Sequence, residues 1–190
     1  GQDIIRTWLF STMLRSVLED DRAPWTDAAV SGFIVDPDRK KMSKSKGNVV
    51  TPADILSTHG SDAVRYWAAS SRLGADAAFD PQNPTQVKIG RRLAIKILNA
   101  AKFVLSFPVP DDATITHALD ASMLATLDRV VLDATKALEA YDHARALEVT
   151  ESFFWTFCDD YLELVKERAY DRTDVGQPSA ALALRTALST

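Results

Sequence analysis

The chain has 190 residues, 46% of them hydrophobic and 25% charged, with a formal net charge of −4. That balance excludes a disordered polymer and a uniformly basic nucleic-acid binder, but it leaves room for a local basic patch. With Cys158 as the only cysteine, no apolar run of membrane length, and His59, His117 and His143 too far apart to ligate a metal, the expectation is a reduced, cytoplasmic, non-membrane protein with no protein-bound metal.

The first residues, "GQDIIRTW", open a helix over 3–19, in which Ile4, Ile5, Trp8, Leu9 and Met13 recur at helical spacing. Asp3 suits its N-terminus. "DRAPW" breaks the pattern, and "AVSGFIVD" reads as a short strand ending in the turn "DPDR". Thr51 as cap and Pro52 at the first helical position start a helix over 52–59 that Gly60 ends. Ser61 or Asp62 then caps "AVRYWAASSRL", with Gly74 as its terminator. "FDPQNP" is the expected domain boundary.

Beyond it the chain is helical. The expected apolar faces are Val87, Leu93, Ile97, Leu98, Ala101 and Leu105 over 85–107, then Met123, Leu124, Leu127, Val131, Ala134 and Leu138 over 120–141. Phe153, Phe154, Phe157, Tyr161, Leu164 and Val165 follow over 144–169. Three such helices with short breaks predict an antiparallel bundle. The final "AALALRTAL" reads as a helix cut short, so a piece of a longer polypeptide is expected.

Against the acidic background, "RKKMSKSKGN" gathers five basic residues into ten positions, 39–48. The lysines Lys41, Lys44 and Lys46 offer mobile ammonium donors, and Ser43 and Ser45 add neutral ones. Gly47 permits a positive φ, so the backbone can close on a ligand. Taken alone, the run is either a solvated turn or a polyphosphate-binding loop; the Walker spacing of ordinary phosphate loops is absent.

"KMSKSKGN" matches the signature loop of the class I aminoacyl-tRNA synthetases letter for letter. "GNVVTPADILSTHGSDAVRYWAASSRLGADAAFD" resembles the segment after that loop in the valine, isoleucine and leucine enzymes, closest to the valine enzymes. "KIGRRLAIKILNAAKFVL" and "FFWTFCDDYLELVKERAY" resemble helices of their anticodon-binding domain. The resemblance implies a mainly α chain with a small α/β part. Residues 1–50 would form the C-terminal part of a Rossmann-type catalytic domain with the signature loop, 51–84 a connector, and 85–190 the start of the helical anticodon-binding domain.

It also implies activation of an amino acid by ATP with Mg2+ as counter-ion, then transfer to tRNA, in a monomeric parent. Valine and its tRNA are the expected partners; an isoleucine or leucine enzyme and a non-catalytic helical tRNA-binding module are the alternatives. Lys44 would stabilise the departing pyrophosphate and Lys41 assist it, with Met42, Ser43 and Ser45 completing the loop. Gly1 and Asp3 would lie by the ATP ribose, although the residues themselves leave Asp3 equally a helix cap. Ile4 and Trp8 would form an apolar amino-acid pocket, for Ile4 stands where isoleucine enzymes have Gln. The piece by itself is expected to be catalytically incomplete, with the loop lysines mostly solvated.

Lys88, Arg92 and Lys96 recur every fourth residue, with Arg91 beside them and no acid over 85–102. Such a stripe is either a solvated face or, beside a synthetase loop, a face toward tRNA phosphates. The acidic run Asp159, Asp160, Glu163 and Glu167 would turn away from RNA or pair with Arg145, Lys166 and Arg168.

Overall fold

A computed structural model describes all 190 residues as a mainly helical chain with one two-stranded sheet. It divides into two compact units, Gly1–Ile89 and Gly90–Thr190, each with its own apolar cluster.

The first unit opens with a π-helical turn, Ile5–Leu9, continued by α1, Phe10–Asp20. Hydroxyls explain the widened turn. Thr7 Oγ1 donates to the Asp3 carbonyl at 3.1 Å, Thr12 Oγ1 to the Trp8 carbonyl at 2.8 Å, and Ser11 Oγ to the Thr7 carbonyl. Such back-bonding competes with regular i to i−4 bonds. The expected apolar face is not buried here: Ile4, Ile5, Trp8 and Met13 are all exposed. Asp3 is not a helix cap either, because its carboxylate is taken by Lys41.

The expected strand shrinks to β1, Ile34–Val35, which pairs in parallel with β2, Ala77–Ala78. Close backbone approach explains how so short a ladder holds. A Cβ on Gly32 would lie 2.0 Å from the Ala75 carbonyl oxygen, so only glycine lets the two segments meet. The Phe33 N–H donates to Asp76 Oδ1 at 2.8 Å and the Gly74 N–H to the Val30 carbonyl at 2.9 Å. The "DPDR" turn forms as expected, with the Arg39 N–H on the Asp36 carbonyl at 2.9 Å.

Helix α2, Ala53–His59, starts on Pro52 instead of Thr51. α3, Ser61–Ala69, is capped by Gly60 rather than Ser61 or Asp62. Gly60, at φ 83°, ends one helix and starts the next without a side-chain cap. α3 ends at Ala69, short of Gly74, which takes φ 73° in the following turn. Ile55, Ala63, Phe79 and Val87 form this unit's cluster, with Met42, Val50, Val64 and Trp67 packed on it.

α4, Thr85–Leu105, supplies Val87 to that cluster and Ala100 and Val104 to the core of the second unit. The expected face over 85–107 is half wrong: Ile97, Leu98 and Leu105 are exposed, and Ala100, Val104 and Phe107 are buried instead. An apolar helix satisfies more than one 3.6-residue phase, and packing chooses between them.

The second unit adds α5, Ala118–Glu139, α6, His143–Thr156, α7, Leu162–Tyr170, and α8, Gln177–Ser189. α5 packs against α6 and α8, and α7 against α8. Val131 and Leu138, expected on the α5 face, are exposed.

The single helix expected over 144–169 is interrupted by a π-helical turn, Phe157–Tyr161. The extra residue per turn moves the face, so Phe157, Tyr161, Val165 and Ala169 are buried while Leu164 is 67% exposed. Cys158 is buried as a small apolar group, and burial pushes its thiol up to about 11.

One polar cluster lies inside this core. Asp120 is fully buried and accepts from both Arg168 guanidinium nitrogens, at 2.8 and 2.7 Å, from Tyr161 Oη at 2.8 Å and from Ser179 Oγ at 2.6 Å. Ser179 Oγ in turn accepts from the Thr116 and His117 N–H groups. Arg168 is therefore spent on Asp120, not on the acidic run.

Candidate functional site

The basic loop leaves β1 through the 36–39 turn and winds into one 3-10 turn, Lys44–Lys46. Ser43 is extended, and Gly47 adopts φ 68°, the left-handed conformation expected of it. Asn48 ties the loop down. Its Oδ1 accepts from the Ser43 N–H at 2.9 Å and its Nδ2 donates to Asp36 Oδ2 at 2.8 Å. That bond, with the Lys40 N–H, holds the Asp36 carboxyl below the usual carboxylate range.

Lys44 and Lys46 are exposed and make no ion pair, and Ser43 and Ser45 face each other across 3.3 Å. This leaves two ammonium groups and two hydroxyls on one short turn. Met42 differs from its neighbours: its side chain enters the apolar cluster of Ile55, Ala63, Phe79 and Val87 and anchors the start of the loop there.

Lys41 is not solvated like the other two. Its Nζ donates to the Asp3 carboxylate and lies 4.2 Å from the centre of the Phe33 ring. The bond from Lys41 holds the Asp3 carboxyl below its ordinary range. A Cβ on Gly1 would come within 2.4 Å of the same Phe33 ring, so a side chain at this position would clash with it. Gly1, Asp3, Phe33 and Lys41 therefore meet at one place, and Phe33 had no signal in the sequence beyond its place in an apolar run.

Beside them lies a cleft of about 400 Å³ lined by Gly1, Ile4, Trp8, Leu9, Trp25 and Val30, among others. Ile4 and Trp8 thus share a cavity wall, as their spacing requires. Trp25, which the sequence showed only as part of a helix break, stacks on Trp8 with ring centres 5.6 Å apart and planes 10° from parallel. No group of three or more His, Cys, Asp or Glu is placed to hold a metal ion.

Along α4 the basic stripe is not uniform. Arg91 and Arg92 are exposed, but Lys96 pairs with Asp159 at 3.1 Å and lies 5.9 Å from the centre of the Trp155 ring. Lys88, at the start of α4, is exposed and donates to Asn83 Oδ1 at 3.4 Å. The acidic run pairs only in part as expected. Lys166 binds Glu163 at 3.4 Å, whereas Arg145 binds Glu148 at 3.0 Å.

Two family models match the chain: tRNA synthetases class I (I, L, M and V) over residues 1–80, and the anticodon-binding domain of tRNA ligase over residues 120–190. The valine–tRNA ligase of Leifsonia xyli is 77% identical across the whole chain, and that of Thermobifida fusca 64% identical. The chain spans 22% of the length of each. Among solved structures, a LeuRS of Agrobacterium radiobacter, in a ternary complex with tRNA and LeuAMS, matches 95% of this chain and 23% of its own. Its TM-score is 0.63 at 19% identity, a likeness of fold. The signature loop, the order of the two matched segments and the whole-length identity agree: the chain belongs to the class I aminoacyl-tRNA synthetases.

Proposed function

We propose that the chain is the part of a valine–tRNA ligase that supplies one side of the ATP site, one wall of the valine pocket and the start of the anticodon-binding helices. The division follows 1–50, 51–84 and 85–190, with the first part as an edge of a Rossmann-type domain and the last as an antiparallel bundle. In the reaction a valine carboxylate oxygen forms a bond to the α-phosphorus of ATP, the bond to the bridging oxygen breaks, and pyrophosphate leaves. Valine then passes to its tRNA. Mg2+ travels with ATP as its counter-ion. The parent works as a monomer in the cytoplasm.

The observation behind this reading is the unequal state of the loop lysines. Lys44 projects from the 3-10 turn without a partner, ready for phosphate oxygens, whereas Lys41 is held on Asp3. Asp3 is the acceptor suited to the two ribose hydroxyls. When ribose engages Asp3, Lys41 is released toward the phosphates, so one nucleotide is gripped at both ends. Ser43 and Ser45 add neutral donors, and Met42 fixes the loop's base. Donors preset for the charge that moves onto pyrophosphate lower the barrier without reorganisation. Along α4, Lys88, Arg91 and Arg92 are the cations open to tRNA phosphates, and Lys96 joins them only if it leaves Asp159.

Lys44→Ala in the full-length enzyme should lower valine-dependent ATP–pyrophosphate exchange by roughly 10²–10³-fold, with valine KM nearly unchanged. An unaltered exchange rate would remove Lys44 from this role. Exchange driven better by isoleucine or leucine than by valine would move the chain to another branch.

A further inference from the structure

We propose that Trp25 is a positioning residue of the amino-acid pocket: it fixes the plane of Trp8 and thereby sets how large a side chain the pocket admits. The inference rests on the reading of Ile4 and Trp8 as a pocket wall. Trp8 is 58% exposed, and the π-helical turn that bears it buries none of its residues. Nothing in its own helix therefore selects one orientation of the indole.

What does so is Trp25, from the segment after α1. It is half-buried, lines the same cleft, and covers one indole face in a nearly parallel stack. Pro24 before it restricts the backbone of that segment. Flat apolar walls discriminate by shape, and a wall free to rotate stops excluding the larger homologue.

The full-length enzyme carrying Trp25→Ala, Trp25→Leu, Trp25→Phe or Trp8→Ala is the test, read by exchange kinetics with valine and with isoleucine. Trp25→Ala should raise valine KM and reduce discrimination against isoleucine, each by roughly three- to tenfold, the size of an aromatic pair's contribution. ATP KM should not move. Trp25→Leu keeps apolar bulk without a flat face and should resemble the alanine variant, whereas Trp25→Phe should restore most of the loss.

If Trp8→Ala impairs valine use but Trp25→Ala does not, the positioning role fails and the pocket reading stands. If neither variant changes valine kinetics, the pocket reading itself fails. Parallel rises in ATP KM and valine KM without rescue by Phe would mark general loosening and overturn the positioning role.

Discussion

The two units are stabilised by different means, one by a packed core and the other mostly by local ties. Gly90–Thr190 has a continuous core that includes Val104, Met123, Phe157, Val165 and Leu184, closed around the buried Asp120 cluster. Gly1–Ile89 buries only Val35, Ile55, Ala63, Phe79, Pro84 and Val87 among its apolar side chains. A fully buried side chain of this kind contributes about 1.5–3 kcal/mol, so the first unit draws far less from burial. It relies on local ties instead: the two-residue ladder, the Gly32 approach, Asn48 across the loop base, and Lys41 on Asp3. An exposed polar tie such as Lys41 on Asp3 can be exchanged for a ligand. A packed core cannot.

The largest expected effect breaks the second unit. Asp120→Ala strands the Arg168 guanidinium, whose side chain is only 12% exposed. Breaking a buried pair costs about 3–5 kcal/mol, a large share of a domain's stability. Chemical denaturation of the 190-residue chain, followed by helical circular dichroism, should show this loss; one below about 1 kcal/mol would mean the core stands without the cluster.

The pH profile gives the sign independently. Burial raises the Asp120 carboxyl, but the bonds from Arg168, Ser179 and Tyr161 outweigh it and leave the group below its ordinary range. A lowered carboxyl stabilises fully above its unfolded pKa of about 3.9 and loses that contribution as pH falls through the lower folded value. Tyr161 is pushed up by burial and by Asp120. Its contribution is intact below about 10 and fades as pH rises through its raised value. Melting temperature should therefore be level at neutral pH and fall at both extremes.

A smaller effect belongs to the first unit. In Gly32→Ala the new methyl meets the Ala75 carbonyl and the Asp76 N–H, both backbone groups that cannot swing aside. Forcing the segments apart costs about 1–3 kcal/mol. Hydrogen exchange should speed up at the Phe33, Gly74 and Ala77 amides and leave α5 to α8 unchanged. Loss of protection in those helices as well would erase the contrast between the units.

Local features were legible in the sequence because their causes are local. Gly47 and Gly60 took the backbone roles their chemistry allows, the "DPDR" turn closed, and the long helices formed where apolar spacing and breaks put them. What escaped was set by residues distant in the chain. Trp25 meets Trp8, Phe33 meets Gly1 and Lys41, and Asn48 reaches back to Asp36, none of which a periodic pattern encodes. The wrong faces of α4 and α5 have a related cause: each helix has apolar residues on two sides, and only the neighbouring helices decide which is covered. The π-helical turns then shift register by one residue, which hid Leu164's exposure. Of the site, the loop was readable as a motif, but the pairing of Lys41 with Asp3 was not.

The smallest expected effect tests whether the two units' polar ties differ in kind. Lys96 and Asp159 are 38% and 61% exposed, so their pair contributes at most about 1 kcal/mol to stability. Lys96→Gln should leave the melting temperature almost unchanged. Its effect on tRNA binding is more informative. A cation that meets phosphate contributes about 1 to the slope of log affinity against log salt. Arg92→Gln in the full-length enzyme should lower that slope by about this amount, because Arg92 has no acidic partner to leave. Lys96→Gln should lower it by clearly less, since its charge is already engaged by Asp159 and its ammonium lies by the Trp155 ring. Equal reductions would show that Lys96 abandons Asp159 for RNA as readily as Lys41 is proposed to abandon Asp3 for ATP. Exchangeable ties would then not be peculiar to the first unit, and the acidic run would lie within reach of the RNA instead of facing away from it.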